Sequence, residues 1–116
     1  MRGINSVFIL GRLGKEVQVN LTPTGRSFTD ISIATNRAVQ KEQEWSEKTD
    51  WHLVRFWGKQ AEICQRYLNK GSLVAIDGSL RTDQWTDDAG KKHYRSYIYG
   101  ENLHLLPNSS TETSTR

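Results

Sequence analysis

The sequence predicts an all-β protein: a five-stranded barrel with one short helix between the third and fourth strands and a long β-hairpin between the fourth and fifth. Three observations predict it. Apolar residues come in short, glycine-bounded runs that suit strands, as in Val7-Phe8-Ile9-Leu10 before Gly11 and Leu73-Val74-Ala75-Ile76 ahead of Gly78. Only residues 59–70 place apolar side chains at helical spacing, through Ala61, Cys64, Tyr67 and Leu68. Finally, Asp87-Asp88-Ala89-Gly90 is a turn signal between two runs of strand-forming residues, 80–85 and 92–99.

The elements follow in order. Residues 4–13 form the first strand. Thr22-Pro23-Thr24-Gly25 is a turn, since proline presets φ and Gly25 accepts a positive one. The second strand covers about residues 27–35, with Phe28, Ile31 and Ile33 as its apolar members. Residues 36–48 are polar, interrupted only by Ala38, Val39 and Trp45, and are expected to form an exposed loop. The third strand, residues 49–59, leads through Gly58 into the helix, and Gly71 stands where a left-handed C-terminal cap belongs. The fourth strand and the hairpin come next, and residues 103–106 close the set. Residues 107–116 include six Ser or Thr and nothing apolar, so a disordered tail is expected after a single domain over residues 1–106.

Composition sets bounds on function. A chain of 116 residues supports one domain. Its 35% hydrophobic content suits a small barrel or an oligomer subunit. A net charge of +3 permits a nucleic-acid partner without demanding one. Cys64 is the only cysteine, which excludes an internal disulfide and a thiolate zinc site, and His52, His93 and His104 are scattered. No metal, cofactor or catalytic activity is expected. The longest apolar run, Val7 to Leu10, is too short for a signal peptide or a membrane span, so no membrane partner is expected.

The third strand carries the functional signal. Side chains of like parity share one face of a strand, which groups Trp51, Leu53, Arg55 and Trp57 against His52, Val54 and Phe56. The second group is an ordinary core face. The first mixes aromatic rings with a cation, the combination that single-stranded nucleic acid requires because each base offers a π-face and each phosphate a charge. Arg55 either meets phosphate or pairs with a carboxylate. Trp85 either stacks or anchors the hairpin. Trp45, in the polar stretch, stands between the two readings. Lys59 and Lys70 flank the helix and by themselves read as solvated ends, Lys70 complementing the helix dipole. Tyr67 reads as core, Cys64 as buried and inert, and Tyr97 and Tyr99 as strand formers sharing a face. Three strands, a helix, a strand and a long hairpin is the order of an oligonucleotide/oligosaccharide-binding (OB) barrel, whose loops frame a ligand face.

Specific blocks then match a family. Arg2-Gly3-Ile4-Asn5, Gly11-Arg12-Leu13-Gly14, Ile33-Ala34-Thr35-Asn36, Thr49-Asp50-Trp51-His52, Trp57-Gly58-Lys59-Gln60-Ala61-Glu62, Tyr67-Leu68-Asn69-Lys70-Gly71-Ser72 and Gly78-Ser79-Leu80-Arg81-Thr82, followed by Trp85, resemble the bacterial and mitochondrial single-stranded DNA-binding proteins over about residues 1–106. The resemblance implies an OB-fold subunit, assembled as a homotetramer or as a smaller dimer. Such a subunit binds single-stranded DNA cooperatively, without strong sequence preference, and protects it during replication, recombination and repair. By position it assigns base stacking to Trp51, Trp57 and Trp85. Lys59, Lys70 and Arg81 match its phosphate contacts, to which Arg55, Arg2 and Arg37 are added, with Trp45 as a further DNA contact. His52 matches a position near a subunit contact, and Ile4 and Asn5 lie in a strand resembling the one used for dimer pairing. A cytoplasmic, nucleoid-associated location is expected over a mitochondrial one, for want of a transit peptide.

The departures are Val39 where many members carry an aromatic, Lys15-Glu16-Val17 in place of an Asp-Pro turn, and Asp83-Gln84 where cations are common. The acidic tip through which many bacterial members recruit replication proteins is absent, so that recruitment is not expected. Two alternatives stand beside this reading: an accessory OB protein of replication restart whose main ligand is another protein, and a carbohydrate-binding OB module.

Overall fold

The computed structural model describes residues 1–107. Its elements run β1 (Val7–Leu13), β2 (Val19–Leu21), β3 (Ser27–Lys41), β4 (Glu44–Trp57), α1 (Lys59–Tyr67), β5 (Leu73–Thr86) and β6 (Lys92–Leu105). Strand neighbours follow the order β1-β5-β6-β4-β3, and β3 pairs back onto β1, which closes a five-stranded barrel; the short β2 adds to the outer edge of β3. This is the all-β OB architecture expected, with α1 between the third and fourth barrel strands and the long β5–β6 hairpin after it.

The barrel closes around one core because each strand alternates. Ile9 and Leu13, Ile31 and Ile33, Val54 and Phe56, Val74 and Ile76, and Ile98 point inward and are buried. Burying each such side chain contributes roughly 1.5–3 kcal/mol. Cys64 and Leu68 of α1 join the same cluster. Burial pushes the Cys64 thiol up to about 12, which leaves it protonated and unreactive. Thr29 is buried and polar, and its Oγ1 donates to the Gln18 carbonyl at 2.8 Å.

Closure depends on close backbone approach. A Cβ at Gly11 would lie 2.2 Å from the Ala34 carbonyl oxygen, where β1 meets β3. At Gly100 it would strike the ring of Phe56 at 2.4 Å. The β5–β6 register slips between Asp77 and Gly78, leaving Glu101 as the extra residue of a bulge. Its carbonyl is taken by Gln60 Nε2 of α1 at 2.8 Å.

The structure departs from the sequence reading in several places. Residues 36–48 are not a loop. They continue β3 and β4 as a hairpin paired from Asn36↔Thr49 to Lys41↔Glu44. The turn is Glu42-Gln43, at φ 53° and 69°. Two left-handed residues match the twist of a two-residue hairpin, but Asn-Gly is the usual signal and Glu-Gln hides it. Each non-glycine residue in that conformation costs about 1 kcal/mol, which the ladder beyond it offsets. The pieces expected at 73–76, 80–85, 92–99 and 103–106 merge into two long strands. The first strand starts at Val7 rather than at residue 4, and β2 had no apolar pattern to announce it. The helix ends at Tyr67 rather than at residue 70, because Leu68 turns extended at φ −112°, ψ 139°; Gly71, at φ 91°, serves the turn that follows. Tyr67 is 57% exposed and is not core. Beyond Pro107, the expected disordered tail lies outside the described residues.

Gly11→Ala should cost about 2 kcal/mol or more, since the added methyl meets backbone that cannot swing away. Chemical denaturation should show that loss in the midpoint with little change of slope.

Candidate nucleic-acid interface

One face of the barrel is built from outward parities of β3, β4 and β6. The β3–β4 ladder sets Phe28 opposite Trp57, Asp30 opposite Arg55, Ser32 opposite Leu53 and Ala34 opposite Trp51. The short parallel contact of β4 with β6 brings Arg55 beside Tyr99. Phe28 and Trp57 meet at 5.3 Å between ring centroids.

Arg55 holds this face together. Its Nε donates to Asp30 Oδ1 at 2.6 Å and its Nη2 to Asp30 Oδ2 at 2.9 Å, a bidentate pair that is roughly three-quarters buried. Its guanidinium also lies 4.5 Å over Phe28, 5.7 Å over Trp57 and 5.6 Å over Tyr97. The hydrogen bonds it donates to Asp30 hold the Arg55 guanidinium more firmly protonated than usual. Arg95 approaches the same carboxylate at 3.9 Å. Two further cations sit on rings: Arg26 lies 4.1 Å over Trp57, and Arg81 lies 4.1 Å over Tyr99.

Two tryptophans extend the face. Trp51 is 61% exposed, and its ring edge rests where Gly14 has no side chain: a Cβ there would lie 2.2 Å from the indole. Trp85, on the β5–β6 hairpin, pairs across the strands with His93 and stacks on it at 5.5 Å and 18°. The arrangement offers flat apolar rings edged by cations, the geometry to hold stacked planar groups along a negatively charged backbone.

The other residues singled out in the sequence lie elsewhere. Trp45 shares the parity of Trp51 but stands far out on the β3–β4 hairpin, opposite Gln40 and well exposed. Arg37 has the opposite parity and binds Asp50 at 2.9 Å. Lys59 opens α1 and borders a groove with Glu62, Ile63, Arg66 and Tyr67. Lys70 borders a second groove with Tyr67, Leu73 and Leu105. No ring of the aromatic face lines either groove. Arg2 and Ile4 are exposed at the N-terminus. Asn5 is tied within the chain, its amide donating to the Leu80 carbonyl at 2.7 Å and accepting from the Leu80 N–H at 2.8 Å. His52 Nε2 is bonded to Thr35 Oγ1 at 2.9 Å.

Sequence reasoning missed Phe28 and Asp30, although a signal was present: both have even parity, against the odd parity of Ile31 and Ile33. Arg26 and His93 carry no comparable pattern. Among the described residues, no group of three or more His, Cys, Asp or Glu side chains could hold a metal ion, and no helix is long and apolar enough to cross a membrane.

Comparison with known proteins adds the following. Residues 4–106 match the model of the Single-strand binding protein family. Among solved structures, the chain superposes on the Plasmodium falciparum SSB in complex with ssDNA with a TM-score of 0.79 at 26% identity, covering 92% of this chain and 98% of that one. It superposes on a deletion mutant of the Thermus aquaticus single-stranded DNA binding protein with a TM-score of 0.78 at 33% identity, covering 91% of this chain. The match spans about half (52%) of the length of the Thermus chain.

Gly14→Ala tests the seat of Trp51. The exposed ring can swing aside, so the expected result is a fold of nearly unchanged stability whose tryptophan emission shifts. Emission unchanged from wild type would mean that Trp51 does not rest on Gly14.

Proposed function

The chain belongs to the single-strand binding protein family, and on that premise we propose that it binds single-stranded DNA across the aromatic face of the barrel, with little regard to sequence. The observation that carries this reading is that Arg26, Arg55 and Arg81 each lie over an aromatic ring of that face. The single-stranded DNA held by the Plasmodium relative supports it.

Bases stack on Trp51, Trp57 and Trp85, and Trp45 extends the track along the hairpin. Arg81, Lys59, Lys70 and Arg2 meet phosphates. Arg55 and Arg37, whose charges are matched by Asp30 and Asp50, serve chiefly to fix the strands that carry the rings. Binding is cooperative and non-enzymatic, and it protects exposed single strands in the cytoplasm during replication, recombination and repair. Phe8 and Leu10 on the outer parity of β1 are 68% and 53% exposed, an apolar surface that a second copy covers in a homotetramer. His52 and the Asn5-tethered N-terminal segment with Ile4 contribute to that contact.

Stacking is worth about 1–3 kcal/mol per base, a figure established on proteins of this class. Trp57→Ala should therefore weaken oligo(dT) binding by about tenfold or more. Arg81→Ala should flatten the dependence of log K on log[salt] by about 0.7, while Arg37→Ala leaves it unchanged. Affinity preserved in Trp57→Ala, or a salt slope insensitive to Arg81, would refute these assignments. Sedimentation in the same buffer reads the tetramer directly.

A further inference from the structure

Trp85 stands on a long, exposed hairpin, where a bare indole would be free to change rotamer. It is not bare. His93, its partner across the strands, covers one side of the ring, with the planes within 18° of parallel. Yet 48% of the residue stays open to solvent.

His93 is itself held. Its Nε2 is hydrogen-bonded to Asp87 Oδ2 at 2.7 Å. The other oxygen of that carboxylate, Oδ1, accepts the backbone N–H groups of Ala89 and Lys91, each at 2.9 Å. The backbone closes the same turn, with Asp87 N–H donating to the Lys91 carbonyl at 2.9 Å and Gly90 N–H to the Asp87 carbonyl at 3.0 Å. Gly90 supplies the positive φ, 83°, that the turn requires. One carboxylate thus ties the geometry of the turn to the orientation of an imidazole, and the imidazole to the plane of an indole. In support, the hydrogen bond from His93, then those from Lys91 and Ala89, hold the Asp87 carboxyl below the usual carboxylate range.

We propose that Asp87 and His93 form a clamp that fixes the Trp85 ring in the orientation that receives a base, acting as positioning residues without touching DNA. The inference rests on the reading of Trp85 as a stacking residue. Its physical content is preorganisation: a ring already immobilised does not lose its rotamer freedom when the base arrives. The imidazole backs one side of the indole, and the base takes the other.

A double-mutant cycle tests it, read by the anisotropy of a dye-labelled oligo(dT) so that loss of a tryptophan does not alter the signal. His93→Ala should weaken binding by about three- to tenfold, the freedom of one immobilised side chain. In a Trp85→Ala background the same change should cost nothing further, because there is no ring left to position. His93→Phe, which restores a flat ring but not the hydrogen bond to Asp87, should bind between wild type and His93→Ala, because the ring is back but no longer tied to the turn. Intrinsic emission should differ between His93→Ala and wild type, and that difference should vanish once Trp85 is removed.

An equal loss from His93→Ala with and without Trp85 would overturn the clamp, since His93 would then meet the DNA itself. So would a His93→Phe variant that binds like wild type, since the bond to Asp87 would then do nothing, or a His93→Ala variant that binds like wild type while Trp85→Ala does not. If Trp85→Ala alone leaves affinity intact, the stacking role of Trp85 fails, and the clamp fails with it for that separate reason.

Discussion

The bidentate pair between Arg55 and Asp30 is the interaction on which the aromatic face depends. It spans β3 and β4 at the directly opposed position, with both hydrogen bonds within 2.9 Å. A guanidinium is planar, and its fork fits a carboxylate in one orientation, so the pair fixes direction as well as distance. The same plane is then a surface against which Phe28, Trp57 and Tyr97 rest. An ion pair largely withdrawn from water gives little net stability, because desolvation consumes much of the attraction. Its contribution is order: three aromatic rings from three strands share one rigid centre.

The core makes that face possible by taking the other parity of the same strands. Val54 and Phe56 fill the barrel while Arg55 and Trp57 look out, so a one-residue slip in β4 would exchange core and site together. The slip is prevented where the strands close. Leu13 pairs with Ile33 beside the Gly11 approach, and Val54 pairs with Ile98 at the parallel contact. The bulge at Glu101 re-aims β6, and Gln60 of α1 seals it. The helix therefore acts on the site at a distance, by pinning the strand that carries Tyr97 and Tyr99.

Much of this was legible in the sequence, and what was not has identifiable causes. The parity of Trp51 to Trp57 is local, and it correctly divided β4 into a core face and an outer one. The barrel was readable because glycines and the Asp87 to Gly90 turn punctuate it. The distal β3–β4 hairpin was not, because Glu42-Gln43 adopts a turn that those residues rarely form. Arg55 shows a different limit. Its position between two tryptophans was plain, but Asp30 lies 25 residues away in the chain, and only the register brings it within reach. The same holds for Asn5, whose amide finds Leu80 at a separation of 75 residues. Tyr67 misled because helical spacing marks a face without saying which end of it is covered.

Affinity of Asp30→Asn for oligo(dT) is the most direct measurement of whether the Arg55 frame governs the site. Asparagine keeps the shape but removes a negative charge from the face proposed to meet a polyanion. If the frame governs binding, affinity falls severalfold with the fold intact, because the rings lose their common support. If affinity instead rises, or stays at the wild-type value, Asp30 is only a repelling charge and the aromatic face does not depend on it.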